Sequence, residues 1–409
     1  MTGASVVAVG MGLFGPATSS AAPIAWGERL TQAIIGGHVT FDTTVRYEHA
    51  DIDGLKAGDS LAVRPRLGYM TDEIAGFDAF AEYEGVYAIG GTDSYNSGPP
   101  FLAATNGNTD YATIVEPVGS QINRAWLRYR PTASTTIKAG RQRIIYDQAR
   151  FVGNVVWRLN EQTFDGAELT TTLGDDVTLH YAYVWQQNFI AFNSNDMNTH
   201  LANLEYTAGR AFNLSAFSYL IDFDNDQRPA QRPRFPGAPD QRTVGLRASG
   251  EIAHVGYEFQ YANQGQYADA PDTVDADYTL GELRYTGFDV VPKIGWEVAG
   301  GNGRYGFQFP LATNHAYFGW ADVFLVTPAD GLRDAYGGLA YATGPLRVEG
   351  IYHDFQADAG GRDYGHEFDA LAAYSVTDEW SLLAKYGDYR STGYAADARR
   401  YWLQTTYAF

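Results

Sequence analysis

From His38 onward, apolar and polar residues alternate along the chain in segments of about ten residues. In the first segment one face carries Val39, Phe41, Val45 and Tyr47, and the other carries Thr40, Asp42, Thr44, Arg46 and Glu48. This alternation predicts strands with one face in lipid and one in water, as in a transmembrane β-barrel. Because a soluble β-sandwich has the same alternation, the connections between segments must separate the two architectures.

The predicted connections alternate in length. Tight turns are predicted at 71–76, 131–134, 174–176, 208–210, Gly250, Gly287, 343–344 and 377–378. Longer polar or Gly-rich loops are predicted at 49–60, 88–119, 147–162, 189–199, 223–240, 265–272, 300–331, 358–362 and 391–398. Short turns at one end and long loops at the other are typical of outer-membrane barrels. The sequence therefore predicts an all-β fold, a transmembrane antiparallel up-and-down β-barrel of about eighteen strands, over residues 38–409.

Both ends of the chain indicate a bacterial outer-membrane location, with membrane lipid as a partner. Residues 1–22 have the apolar stretch and small-residue site of a secretory signal peptide, and 23–37 form a short segment before the barrel. At the other end, Tyr401, Leu403, Thr405, Tyr407 and Phe409 share one face of the last strand. This pattern looks like the terminal signature that the outer-membrane assembly machinery recognises, which makes that machinery an expected partner through Phe409.

Composition and motifs exclude several other functions. A net charge of −19 argues against nucleic acid as a partner. The pattern GxGxxG at 301–306 opens a loop rather than a helix, so no dinucleotide cofactor is predicted. Asp222, Asp224 and Asp226 begin like an EF-hand, but Gln227 replaces the glycine and no Glu closes the loop. A loose surface calcium site is the alternative to a solvated rim; we predict no metal and, without a catalytic motif, no enzyme.

Charged residues on the inward faces of three neighbouring strands are the candidate site. Strands two and four place Arg64, Arg66, Arg124, Arg128 and Arg130 inward, and strand three places Asp78, Glu82 and Glu84 between them. One interpretation is an arginine track that binds carboxylates through guanidinium forks. The alternative is ion pairing that merely satisfies a polar lumen. Arg141 and Arg143 share the parity of apolar neighbours, so a bulge at Gly140 is expected to turn them inward.

The segment from Ile122 to Leu169 resembles the alginate export family of outer-membrane porins. The matching motifs are Gly140-Arg141-Gln142, Tyr146-Asp147, Arg150-Phe151-Val152-Gly153, Trp157-Arg158 and Gln162-Thr163-Phe164-Asp165-Gly166. A second stretch, Phe318 to Leu339, is similar to a late extracellular loop of that family. The resemblance implies an eighteen-stranded barrel that passes an anionic uronate polymer or related sugar. Carried over by motif, the implied site residues are Arg128, Arg141, Arg143, Arg158 and Asp165.

Together these patterns predict a passive channel for an anionic oligosaccharide or polysaccharide, with Glu82 and Glu84 beside the arginines. A general sugar or small-solute porin without uronate preference is the alternative, and an outer-membrane enzyme is the weaker one. The two longest loops, 89–119 and 300–331, are expected to restrict the outer mouth.

Overall fold

The computed structural model describes residues 26–90, 94–98, 106–224 and 239–409, so the predicted signal peptide lies outside the described residues. These residues form one helix, α1 (Trp26–Gly36), and eighteen strands. The strands are β1 (His38–Ile52), β2 (Gly58–Met70), β3 (Phe77–Gly90), β4 (Gly119–Thr132), β5 (Thr135–Gln142), β6 (Thr163–Leu173), β7 (Val177–Phe189), β8 (Asn193–Ala208), β9 (Phe212–Ile221), β10 (Gln241–Ile252), β11 (Val255–Gly265), β12 (Asp275–Tyr285), β13 (Val290–Ala299), β14 (Leu332–Thr343), β15 (Leu346–Gln356), β16 (Asp363–Ser375), β17 (Trp380–Ser391) and β18 (Ala398–Ala408).

The strands form one closed antiparallel sheet in which each pairs with its neighbours in sequence. Closure comes from β1 and β18, which pair from Asp42 opposite Ala408 to Ile52 opposite Ala398. At the seam the Phe41 amide donates to the Phe409 carbonyl at 3.1 Å, and the Phe409 amide donates back at 2.9 Å. The predicted eighteen-stranded barrel is thus confirmed. Among the described residues, no helix has the length and apolarity needed to cross a membrane.

The connections largely follow the predicted parity of short turns and long loops. Two of the predicted connections are wrong. The β7–β8 connection spans only 190–192, because β8 extends through most of the residues expected in a loop at 189–199. The turn expected at Gly250 lies at 253–254, since β10 continues through Gly250 to Ile252. Both errors arise where polar or glycine residues lie within a strand that its neighbours hold by hydrogen bonds.

Apolar side chains are concentrated in one half of the barrel interior, here called the apolar half, and the ion pairs of β2 to β4 lie in the other, the charged half. Large apolar side chains face inward on β6, β8, β9 and β12, among them Phe164, Leu201, Phe217, Tyr219 and Tyr278. The inward faces of β10 and β11 are polar and include Gln241, Gln260, Gln264 and the ion pair of Arg247 with Glu258. Against the apolar side chains pack aromatic residues of two inserted segments, 143–162 and 300–331, including Phe151, Phe307 and Phe309. The alternation of residues in the sequence did not predict these apolar inward side chains. Their burial against each other stabilises the position of the two inserted segments inside the barrel.

The two inserted segments are joined to each other inside the barrel. The Gly153 amide donates to the Leu311 carbonyl at 2.8 Å, and the Thr313 amide donates to the Ala149 carbonyl at 3.0 Å. A Cβ at Gly153 would lie 2.4 Å from the Ala149 Cβ and 2.6 Å from the Thr313 hydroxyl oxygen. Only glycine permits this approach, so Gly153 fixes the contact between the two segments.

Candidate functional site

Three ion pairs between β2, β3 and β4 line the charged half of the barrel. Arg124 donates to Glu82 through Nε at 2.8 Å and Nη2 at 2.6 Å, and the two residues are opposite in the strand register. Arg128 lies opposite Asp78 and contacts it at 3.0 Å. Arg66 pairs with Glu84 in the same way across β2 and β3. The predicted alternation of charge between neighbouring strands is therefore present as direct cross-strand pairing.

The two remaining arginines of the predicted track are also paired. Arg130 lies 2.6 Å from Asp78 and 2.5 Å from Glu73, at the end of β4 beside a short turn. Arg64 contacts Asp42 on β1 at 2.5 Å and donates to the Thr44 hydroxyl at 2.7 Å. Each arginine on these strands thus has an acidic partner in the wall.

The partners in the β3–β4 pairs differ in their exposure to the lumen. The Arg128 side chain is 28% exposed and the Asp78 side chain only 4%. Arg130 is 32% exposed, and Arg124 with 20% exposure covers a Glu82 that is 3% exposed. In these pairs the guanidinium groups are therefore more exposed than the carboxylates. The order is reversed in two other pairs, since Glu73 is 51% exposed beside Arg130 and Asp42 is 26% exposed beside an Arg64 of 8%.

Arg143 enters the lumen because β5 ends at Gln142. Its guanidinium donates to both carboxylate oxygens of Glu161, at 2.7 and 2.6 Å. Glu161 is fully buried and also accepts from Asn123 and Asn154 at 2.7 Å each. Burial alone would raise the pKa of Glu161, but Arg66 and Arg143 outweigh it and lower that pKa to about 2.

Arg141 lies elsewhere, because the bulge expected at Gly140 is wrong. Pairing of β5 with β4 and β6 runs without a break from Ile137 through Arg141. Arg141 therefore shares the face of Ile137, which is 41% exposed on the outside of the barrel. On that outer face it forms a two-point ion pair with Asp165, at 2.8 and 3.0 Å. The resemblance implied both residues as part of the lumen site, whereas in the structure they pair with each other on the outer face.

Arg158, in the first inserted segment, lies at the centre of a network of buried charges. It contacts Asp322 of the second inserted segment at 2.6 Å, Glu48 of β1 at 3.2 Å and Glu116 at 3.7 Å. Arg400 of β18 also contacts Glu48, at 3.3 Å. The network ties both inserted segments and the connection before β4 to the barrel seam.

Glu116 links this network to a second arginine. Its carboxylate contacts Arg46 at 3.1 Å and accepts from the Leu159 amide at 3.1 Å. Burial raises the pKa of Glu116 to about 7, although Arg46 and Arg158 partly oppose the shift. This carboxyl group therefore changes its charge near neutral pH.

An aromatic cage beside this network was missed by sequence reasoning. Lys385 of β17 lies 4.1 Å from the ring centre of Trp157 and 3.9 Å from that of Trp320. Its ammonium is 2.6 Å from His315 Nε2, and His315 Nδ1 is 2.7 Å from Asp322. Burial lowers the pKa of His315 to about 3, with Asp322 opposing the shift. These residues come from three distant parts of the chain, so no local spacing marks them.

Two motifs set aside from the sequence do not form sites in the described residues. Gly301 and Gly306 bridge each other within the second inserted segment, where no helix begins. Asp226 and Gln227 lie outside the described residues, so the calcium alternative there stays a prediction. Among residues 26–90, 94–98, 106–224 and 239–409, no group of three potential ligands could hold a metal ion.

Comparisons with known proteins agree with this architecture. A family model described as "Alginate export" matches residues 109–327. No curated protein matches the chain significantly. Among solved structures, OccK3 (OpdO) of Pseudomonas aeruginosa is 14% identical with a TM-score of 0.66 and covers 95% of this chain and 99% of its own. OpdK of the same organism, solved with vanillate, is 13% identical with a TM-score of 0.68, and the match covers 91% of this chain and 98% of OpdK. OccAB2 of Acinetobacter baumannii is 16% identical with a TM-score of 0.68, and the match covers 92% of this chain and 99% of OccAB2. At such identities these likenesses establish the fold.

Proposed function

The chain belongs to the alginate export family, and from that membership we propose that it passes an anionic, uronate-like oligosaccharide or polysaccharide through its lumen. As a member of this porin family it is a channel of the bacterial outer membrane and not an enzyme. We propose passive transport without a cofactor, with Arg124, Arg128, Arg130 and Arg143 as the groups that contact the carboxylates.

The unequal exposure within the ion pairs is the observation that carries this proposal. Glu161 is 0% exposed, whereas the Arg143 that pairs with it is 31% exposed. A passing solute therefore meets guanidinium groups first, even though each pair is neutral as a whole. A guanidinium fork binds a carboxylate through two parallel hydrogen bonds and stays charged at any working pH.

The spacing of these arginines suits transfer of a carboxylate from one to the next. Arg124, Arg128 and Arg130 lie on one face of β4, two or four residues apart, which is roughly 7 to 14 Å along a strand. Each guanidinium is already engaged by a carboxylate in the wall, and this weakens its hold on a second one. Favourable but weak successive contacts are the condition for conduction.

A general sugar or small-solute porin is the second candidate, and one observation favours it. Every arginine of the β2–β4 ladder has an acidic partner within 3.0 Å. Arg128 and Arg130 share Asp78, and with Glu73, which also pairs with Arg130, the five arginines are matched by five acids. In this case the arginines only balance the wall, and no solute charge is preferred. OpdK, which is similar to this chain in fold, was solved with vanillate, a carboxylate, and this favours the proposal of an anionic solute.

Planar-bilayer recording in a salt gradient separates the candidates. We expect the wild type to select anions, and the Asp78→Asn, Arg128→Gln double variant to lose much of that selectivity although the net charge of the lumen is unchanged. The matched control is the Asp165→Asn, Arg141→Gln double variant, which removes an equivalent pair from the outer face. Oligouronates are expected to block the wild type more strongly than neutral oligosaccharides of equal length. Cation selectivity, or equal block by both sugars, would leave the general porin.

A further inference from the structure

The outer face of the barrel carries a groove across β8, β9 and β10. Its floor is made of small side chains, since Ala216 lies between Leu204 and Leu246 in the strand register, and Ala202 lies beside Ser218. The cavity has a volume of about 600 Å³. Leu204 and Leu246 are about half exposed and form its sides. A groove with a floor of small residues and sides of leucine can hold one acyl chain along its length, more closely than the disordered lipid elsewhere around the barrel is held.

One end of this groove is polar. Arg242, next to the start of β10, lines the groove together with Tyr261 and Asn263 of β11. Arg242 is exposed and lies on the outer face, because it is opposite Leu220 and two residues from the exposed Val244. Among the residues that the structure describes, no acidic side chain pairs with it. The nearest outward carboxylate in the register is that of Asp275, which is opposite Gly265, the partner of Arg242, but forms no ion pair with Arg242 in the described residues. The next one, Asp277, accepts from Tyr261 at 2.8 Å and from Asn263 at 3.0 Å.

The position of Arg242 places it at the level of the lipid headgroups. Ten residues separate it from Ile252 at the opposite end of β10, which in a strand tilted by about 40° corresponds to roughly 25 Å along the membrane normal. That length equals the apolar band of an outer-membrane barrel. Arg242 adjoins the long connection 222–240, so it belongs to the outer leaflet, and the apolar part of the groove lies below it at acyl-chain depth.

From this combination we propose that the groove binds one molecule of a phosphate-bearing, anionic membrane lipid. One acyl chain lies over Ala216 between Leu204 and Leu246, and the headgroup phosphate pairs with Arg242. A guanidinium fork matches phosphate geometry, and Arg242, which has no ion-pair partner in the part of the chain that the structure describes, favours an anionic headgroup at the membrane surface.

Native mass spectrometry of the purified barrel tests the proposal with two lipid probes that share their acyl chains, dimyristoyl phosphatidylglycerol and dimyristoyl phosphatidylcholine. One basic residue at a membrane surface is worth about 1 kcal/mol, so the wild type should retain the anionic lipid about fivefold more than the zwitterionic one. Arg242→Gln should abolish this preference. Ala216→Phe, which fills the groove, should lower retention of both lipids.

The matched control is Arg399→Gln, because Arg399 also faces outward near the extracellular side but lies 3.8 Å from Asp388 and 3.9 Å from Asp51. This variant should keep the preference for the anionic lipid. Heat-modifiable gel mobility establishes that each variant is a folded barrel. Equal retention of both lipids by the wild type, or equal loss in Arg399→Gln and Arg242→Gln, would overturn the proposal. Ion selectivity of the pore is independent of either result.

Discussion

The guanidinium of Arg150 lies 2.5 Å from the Glu297 carboxylate, and both side chains are almost completely buried. This pair fastens the first inserted segment to β13, and Phe309 of the second segment covers the guanidinium at 3.7 Å. Burial would lower the pKa of Arg150, but Glu297 and the surrounding tyrosine hydroxyl groups keep it above its usual value. The charge therefore persists inside the apolar half of the barrel.

We expect Arg150→Met to lower the free energy of unfolding by about 3 to 5 kcal/mol, because it leaves Glu297 as an uncompensated buried charge. The Arg150→Met, Glu297→Gln double variant should recover part of this loss. The measurement is the midpoint of heat-induced unfolding by gel mobility. Equal destabilisation of the single and double variants would contradict the argument.

The Gly153 contact predicts that the two inserted segments narrow the pore as one unit. Gly153→Val should force them apart, since its side chain would collide with Ala149 and Thr313. Single-channel conductance should rise and fluctuate. Gly281→Ala is the control, because a Cβ there meets no atom within 4 Å. An unchanged conductance in Gly153→Val would show that the segments do not restrict the current.

Glu116 predicts a dependence of ion selectivity on pH. Its pKa of about 7 means that the carboxylate takes up a proton as the pH falls from 8 to 6. Protonation removes the negative charge of Glu116 beside Arg46 and Arg158, so the electrostatic potential around these arginines becomes more positive. Glu48 also lies near them, and its position does not change. Anion selectivity should therefore rise on acidification, as read from reversal potentials.

Glu116→Gln isolates this contribution. The variant should show at pH 8 the higher anion selectivity that the wild type reaches at pH 6, with a weaker response to pH. Glu116→Asp keeps the charge and should retain the response. If Glu116→Gln shows the same dependence of ion selectivity on pH as the wild type, the titrating group is not Glu116.

Loss of the Phe409 ring is expected to impair assembly of the barrel. Phe409 is 66% exposed on the outer face, and its ring lies 5.7 Å from that of Phe41 across the seam. We propose that the assembly machinery recognises it, so Phe409→Ala should reduce the folded barrel recovered in outer membranes. Phe41→Ala removes the ring contact but not the terminal residue, and it should have the smaller effect. The reverse order would assign Phe409 a role in packing alone.

The alternation of residues and the alternating lengths of the connections together predicted the barrel, because lipid and water impose a period of two on every strand. For example, Val39 is 53% exposed while Arg46 and Glu48 are buried, as the parity requires. The same alternation put Arg141 on the face of Ile137, where it lies, and the bulge assumed at Gly140 was the error. The sequence does not indicate whether a glycine bends the strand or only takes a positive φ, here +121°. Register comes from the neighbouring strands.

The centre of the candidate site could not be predicted for a different reason. Arg158 was singled out by its motif, but its partners Glu48 and Asp322 lie 110 and 164 residues away in the sequence. Which acid meets which base depends on how the inserted segments fold within the barrel. Likewise Phe217 and Tyr219 face inward, and the Phe151 ring of the first inserted segment packs against both. The sequence gives no sign of this contact, because it depends on where the inserted segment lies in the barrel.

The seam between β1 and β18 also sets the order of events during biogenesis. Asp42 and Ala408 are opposite each other although almost the whole barrel separates them in sequence. Closing so large a loop has a high entropic cost, and contacts of this separation form slowly. Until β18 arrives, β1 is left with an open edge of unsatisfied amide and carbonyl groups, which is the kind of edge that aggregates. Pairing with β18 satisfies these groups and removes the open edge.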